Sequence, residues 1–110
     1  MERYDDSIAD FLESLALDPD NPITYSNIGL VFRKMERFQE AIEYFSKEIE
    51  LSRPTSKSYP YRAYCYVRIG LFHEAIADYS MALKSDPKNL QYLHNRGVCY
   101  ERIHEYNKAV

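Results

Sequence analysis

Side chains capable of chemistry occur along this chain, but their spacing builds no reaction centre. His73, His94 and His104 are not spaced to bring metal ligands together, and neither CxxC nor HExxH occurs. No phosphate-binding loop or nucleophile elbow is present, and nothing places Ser, His and Asp as a triad. The sequence therefore predicts a non-enzyme, with no catalytic residue, no metal site and no cofactor. What recurs instead is the chemistry of recognition. Amides at Asn27 and Asn95 lie two periods of 34 residues apart, with Tyr61 midway. Apolar Leu30, Tyr64 and Val98 keep that interval, as do basic Lys34, Arg68 and Arg102.

The elements that carry these residues share the period. Glu40-Ala41-Ile42, Glu74-Ala75-Ile76 and Lys108-Ala109-Val110 are spaced by 34, and one step back lies Asp6-Ser7-Ile8. Tyr4, Phe38, Phe72 and Tyr106 form one aromatic column. Phe11, Phe45 and Tyr79 form a second, and Phe32, Tyr66 and Tyr100 a third. Gly29, Ala63 and Gly97 form a small-residue column, which lets a paired helix approach closely while a bulky aromatic from it fills the space. Within each period, apolar residues three and four apart predict two amphipathic helices. The expected spans are Tyr4–Leu17, Pro22–Met35, Phe38–Leu51, Tyr59–Ile69, Phe72–Lys84 and Asn89–Ile103. Asp18-Pro19 and Asp86-Pro87 end helices, and Gly70 supplies a left-handed turn.

This pattern resembles the tetratricopeptide repeat. Tyr25-Ser26-Asn27-Ile28-Gly29, then Phe32, Phe38, Ala41 and Phe45, match the family consensus, and the likeness covers essentially the whole chain. The resemblance implies an all-α fold: antiparallel helix pairs forming part of a right-handed superhelix. The expected organisation is one array, with the second helix of a partial repeat at 1–21, repeats at 22–55 and 56–89, and a truncated repeat at 90–110. It also implies a concave groove, lined by the first helix of each pair, that binds peptides or protein segments. Asn27, Leu30, Lys34, Lys57, Tyr61, Tyr64, Arg68, Asn95, Val98 and Arg102 fall on that face. An apolar strip with a basic edge suits a peptide with apolar anchors and acidic flanks. Basic residues in that column also serve solubility in the family, so the apolar strip is the more telling feature. The family's carboxylate clamp for chaperone tails is not expected. Asn27 and Lys57 sit in suitable columns, but Tyr61 stands where an arginine is required. Of the tyrosines, Tyr4, Tyr25, Tyr59, Tyr66, Tyr79, Tyr100 and Tyr106 fall in core columns. Cys65 and Cys99, on neighbouring hairpins, should lie about 10 Å apart, beyond disulfide reach, as free packed thiols.

Departures from the pattern mark particular places. Glu48 occupies a seam where a small residue is usual, so its carboxylate must reach solvent or a partner. The stretch from Leu51 to Tyr59 lacks the Asp-Pro ending, and Pro60 belongs in a first turn, which delays the next helix to Ser58 or Tyr59. That junction is the expected hinge. Met1-Glu2-Arg3-Tyr4 aligns with Met35-Glu36-Arg37-Phe38, so the sequence reads as part of a longer repeat protein with uncapped ends, which offer a route to self-association.

Composition agrees. With 14 Lys and Arg against 17 Asp and Glu, the chain has a formal charge of −3 and no basic excess for nucleic acid. No apolar run suits a bilayer, no secretory signal is apparent, and two cysteines fit a reducing cytoplasmic or nuclear setting. The function expected is a protein-binding scaffold or adaptor segment. The alternatives are a spacer or self-association unit, or part of an enzyme whose catalytic domain lies elsewhere.

Overall fold

The computed structural model describes residues 3–109, with side chains through residue 105. Among them the chain forms six α-helices and no strand: α1 (Tyr4–Leu17), α2 (Pro22–Lys34), α3 (Phe38–Ser52), α4 (Tyr59–Arg68), α5 (Phe72–Ser85) and α6 (Leu90–Ala109). The chain divides into two compact units, Met1–Ser58 and Tyr59–Val110.

In the first unit, α2 packs against both α1 and α3. Asn21 starts α2 by accepting a hydrogen bond from the Ile23 amide at 3.0 Å, and Pro22 occupies the first turn, where its missing N–H costs nothing. The small column works here as expected. A Cβ built on Gly29 would come within 2.6 Å of Phe45 Cε1, so the hairpin is as close as glycine allows. Ile28, Ala41 and Phe45 are sealed from solvent around that contact. Glu48 is buried and finds its partner: the Ser56 hydroxyl donates to its carboxylate, and the Ser58 amide donates to Ser56 Oγ at 3.0 Å. The junction segment is therefore tied back onto α3, and the division between the units follows it at Ser58.

In the second unit, α5 packs against both α4 and α6. Its core joins Ala63, Phe72, Ala75, Tyr79 and Cys99, with Tyr66, Val67, Ile76, Tyr92 and Ile103 around it. Cys65 and Cys99 are buried free thiols.

Both hairpins turn by the same device. Glu36 (φ 60°) and Gly70 (φ 82°) adopt the left-handed conformation. Arg37 N–H bonds Phe32 O at 2.9 Å and Glu36 N–H bonds Arg33 O at 2.9 Å. Leu71 N–H to Tyr66 O and Gly70 N–H to Val67 O repeat that pattern, the Schellman ending of a helix. One period on, His104 is helical, and α6 runs on to Ala109 rather than ending at Ile103. Two core assignments change with it. A Cβ on Gly97 would meet nothing within 4 Å, and Tyr100 is 55% exposed, because among the described residues no helix covers that face of α6. The side chains of Tyr106, Lys108, Ala109 and Val110, and Met1 and Glu2, lie outside the described residues.

Candidate functional site

The face expected to bind a partner is open in both units. On α2, Asn27 and Leu30 are half-buried and Lys34 is exposed; Lys57, in the segment after α3, is exposed. On α4, Tyr61 (36%) and Tyr64 (38%) remain accessible, as do Arg68 on α4 and Val98 (36%) and Arg102 on α6. Leu30, Tyr64 and Val98 are thus not sealed inside a bundle.

The second unit gathers several of these residues around one cavity. Tyr64 and Val67 of α4, Tyr79 of α5, and Gln91, Asn95, Val98 and Cys99 of α6 line a pocket of ≈ 280 Å³. Helical spacing places the contributors: Tyr64 and Val67 are three apart, and Gln91, Asn95 and Val98 follow at four and three, so each set shares a helix face. Arg68, one turn beyond Tyr64, donates from Nη1 to its hydroxyl at 2.9 Å and stacks 5.8 Å from its ring centre. That contact places a cation on the residue that forms the pocket's wall.

Asn95 has a role that spacing alone did not reveal. Its side chain is hydrogen-bonded to the Tyr79 hydroxyl, which is otherwise buried with its ring. Burial pushes the Tyr79 phenol up to about 12, with the Asn95 bond opposing the rise. Burial likewise raises the Cys99 thiol, which keeps it protonated and disfavours its use as a nucleophile. The pocket therefore offers aromatic and aliphatic walls and uncharged hydrogen-bonding groups.

Sequence reasoning missed an ion pair in this unit. Arg62 donates to Asp78 from Nε at 2.7 Å and Nη2 at 2.8 Å, with side chains 19% and 4% exposed. Its guanidinium lies 6.0 Å from the Tyr59 ring centre and 5.6 Å from that of Tyr66. Arg62 belongs to the framework under the site. Among the described residues, no three His, Cys, Asp or Glu side chains cluster to hold a metal, and no helix is long and apolar enough to cross a membrane.

Comparison with known proteins agrees with this architecture. Residues 20–85 match a family model described as tetratricopeptide repeat, and residues 1–36 match a second described as TPR repeat. No curated protein sequence matches significantly. Among solved structures, the first TPR of Spaghetti (RPAP3) bound to HSP90 peptide SRMEEVD is similar, with a TM-score of 0.86 and 22% identity over 92% of this chain and 80% of that one. The second TPR domain of human RPAP3 in complex with HSP70 peptide SGPTIEEVD gives 0.80 and 23%, over 88% and 81%. A crystal structure of MamA gives 0.87 and 22%, over 96% of this chain but 62% of that one. The repeat interval, the shared Schellman turns and the match over residues 20–85 lead to one conclusion: the chain belongs to the tetratricopeptide repeat family.

Proposed function

We propose that this chain is a protein-interaction module that works by binding, with no chemistry of its own. It holds a segment of a partner against the open face of α4 and α6. An aliphatic side chain of the segment enters the pocket between α4 and α6, and acidic residues beside it meet Arg68 and Arg102. The observation that carries this reading is the pocket itself. At ≈ 280 Å³ it falls below the roughly 300–1,000 Å³ of small-molecule sites, which suits one side chain of a longer ligand. Gln91 and Asn95 at its edge can hydrogen-bond an extended backbone. On α2, Asn27, Leu30 and Lys34 repeat the same order of amide, apolar and basic groups.

Two of the similar structures hold acidic peptides, which supports an acidic segment as the ligand class. Tyr61, where the chaperone-tail clamp needs a cation, argues against the same grip on a terminal carboxylate.

Selection from randomised displayed peptides tests the reading. Enriched peptides should share an aliphatic residue flanked by Asp or Glu, and Val98→Glu should weaken them at least about tenfold by removing an apolar anchor site. Undiminished binding by Val98→Glu, with helicity unchanged, would overturn it.

A further inference from the structure

The stretch between α3 and Tyr59 departs from the repeat pattern, and so does Glu48 on α3; the two departures meet. Glu48 puts a carboxylate in the column where α1 and α5 carry Ser14 and Ala82, and it is only 8% exposed. Ser56, half-buried in the non-helical stretch, donates its hydroxyl hydrogen to that carboxylate and accepts from the Ser58 amide at 3.0 Å. One hydroxyl therefore fastens the stretch to α3. The bond depends on its hydrogen, because a carboxylate offers only acceptors. The same stretch carries two exposed cations with no acidic partner among the described residues: Arg53, three before Ser56, and Lys57, just after it.

We propose that Ser56 is a phosphorylation site, and that its modification detaches this stretch from α3. A protein kinase transfers the γ-phosphoryl of ATP: the Oγ–P bond forms, the bond to ADP breaks, and the hydroxyl proton passes to the kinase's base. The product has no hydrogen to give Glu48. It also sets a charge of about −1.5 to −2 against a buried carboxylate, so repulsion and desolvation drive the two apart. The neighbouring hydroxyls do not fit this role. Ser58 is 2% exposed, and Ser52 lies within α3. Thr55 donates to Ser52 O at 3.0 Å, so a phosphate there leaves the tie to Glu48 intact. Arg53 and Lys57 suit an enzyme with an acidic substrate cleft, which makes the kinase an arginine-directed one. The hinge expected at this junction is thus conditional: tied by a free Ser56 hydroxyl and released by phosphate. All of these residues lie in the first unit, and none lines the pocket between α4 and α6.

Urea unfolding of the 110-residue chain with phosphoserine incorporated at position 56 tests the release. The folded-to-unfolded ratio should fall at least about tenfold against the unmodified chain. Glu48→Gln should restore most of that ratio in the phosphorylated chain, since its amide can donate to phosphate, while changing the unmodified chain little. Ser56→Ala, which loses the hydroxyl without gaining charge, should show no such rescue. Incubating the unmodified chain with Mg-ATP and an arginine-directed serine kinase tests the site. Mass spectrometry should place the phosphate on Ser56, and Arg53→Ala should slow its transfer at least about tenfold. Phosphoserine that leaves the ratio unchanged, or costs as much in the Glu48→Gln chain, overturns the inference. So does a chain that takes no phosphate, or takes it on Thr55 or Ser52 instead.

Discussion

The α2–α3 and α4–α5 hairpins fill the same cradle with different chemistry. In the first, the Tyr44 ring lies between Tyr25 and Phe32, with centroids 6.4 and 5.6 Å away. In the second, Tyr59 and Tyr66 occupy the columns of Tyr25 and Phe32, but Asp78 replaces Tyr44 and Arg62 replaces Ile28. The Arg62 guanidinium then takes the place of the missing ring between the two aromatics, held there by both carboxylate oxygens. A planar cation with apolar faces can substitute for an aromatic ring in such a slot. What differs is the consequence of losing one member. An aromatic cluster loses contact area, whereas an ion pair leaves a charge behind.

The largest effect should come from splitting that pair. Asp78→Ala strands the Arg62 guanidinium under two rings and should cost about 3–5 kcal/mol in urea denaturation of the chain. Alkaline pH should act on the second unit next. Tyr79 titrates at about 12 instead of 10.0, so its contribution is full below pH 10 and is lost as pH rises through 12. At about 1.4 kcal/mol per pKa unit that amounts to roughly 2–3 kcal/mol. Tyr79→Phe should remove this portion of the alkaline loss, seen by following unfolding against pH.

Smaller effects separate the glycines. Gly29→Ala forces its Cβ against Phe45 and should destabilise by about 1–2 kcal/mol. Gly97→Ala meets open space inside a helix and should stabilise by about 0.5–1 kcal/mol. Thermal denaturation of the two variants should move in opposite directions. The smallest change is expected when the second hairpin is given the first one's residues. Arg62→Ile with Asp78→Tyr should be neutral to about 1 kcal/mol stabilising, since a packed Ile and Tyr replace a buried carboxylate and its half-buried guanidinium. A loss as large as that of Asp78→Ala would show that the cradles are not equivalent.

Much of the fold is legible in the sequence because a period multiplies weak local signals. The starts of α1 to α5 coincide with the expected Tyr4, Pro22, Phe38, Tyr59 and Phe72, fixed by apolar columns and by prolines that cannot continue a helix. The run of α6 past Ile103 was not legible. Its turn column holds a left-handed residue at Glu36 and Gly70, where a following helix packs against the small column, and Gly97 has no such neighbour among the described residues. Nor was the Arg62–Asp78 pair, since isolated charges read as solvent-facing. Its trace is that both columns turn charged within one repeat, which only comparison of Ile28 with Tyr44 against Arg62 with Asp78 brings out. At the site, the accessible faces of Tyr64 and Val98 follow from the column pattern. The Tyr79–Asn95 bond required knowing how α6 lies on α5.

Backbone amide spectra of the isotopically labelled chain, recorded while adding a peptide from the selection, test the groove most directly. The account predicts shifts concentrated at Tyr64, Arg68, Asn95 and Val98, abolished by Val98→Glu. Shifts confined to the opposite face of α6, around Leu93, Gly97 and Tyr100, or spread over the chain without a centre, would contradict it.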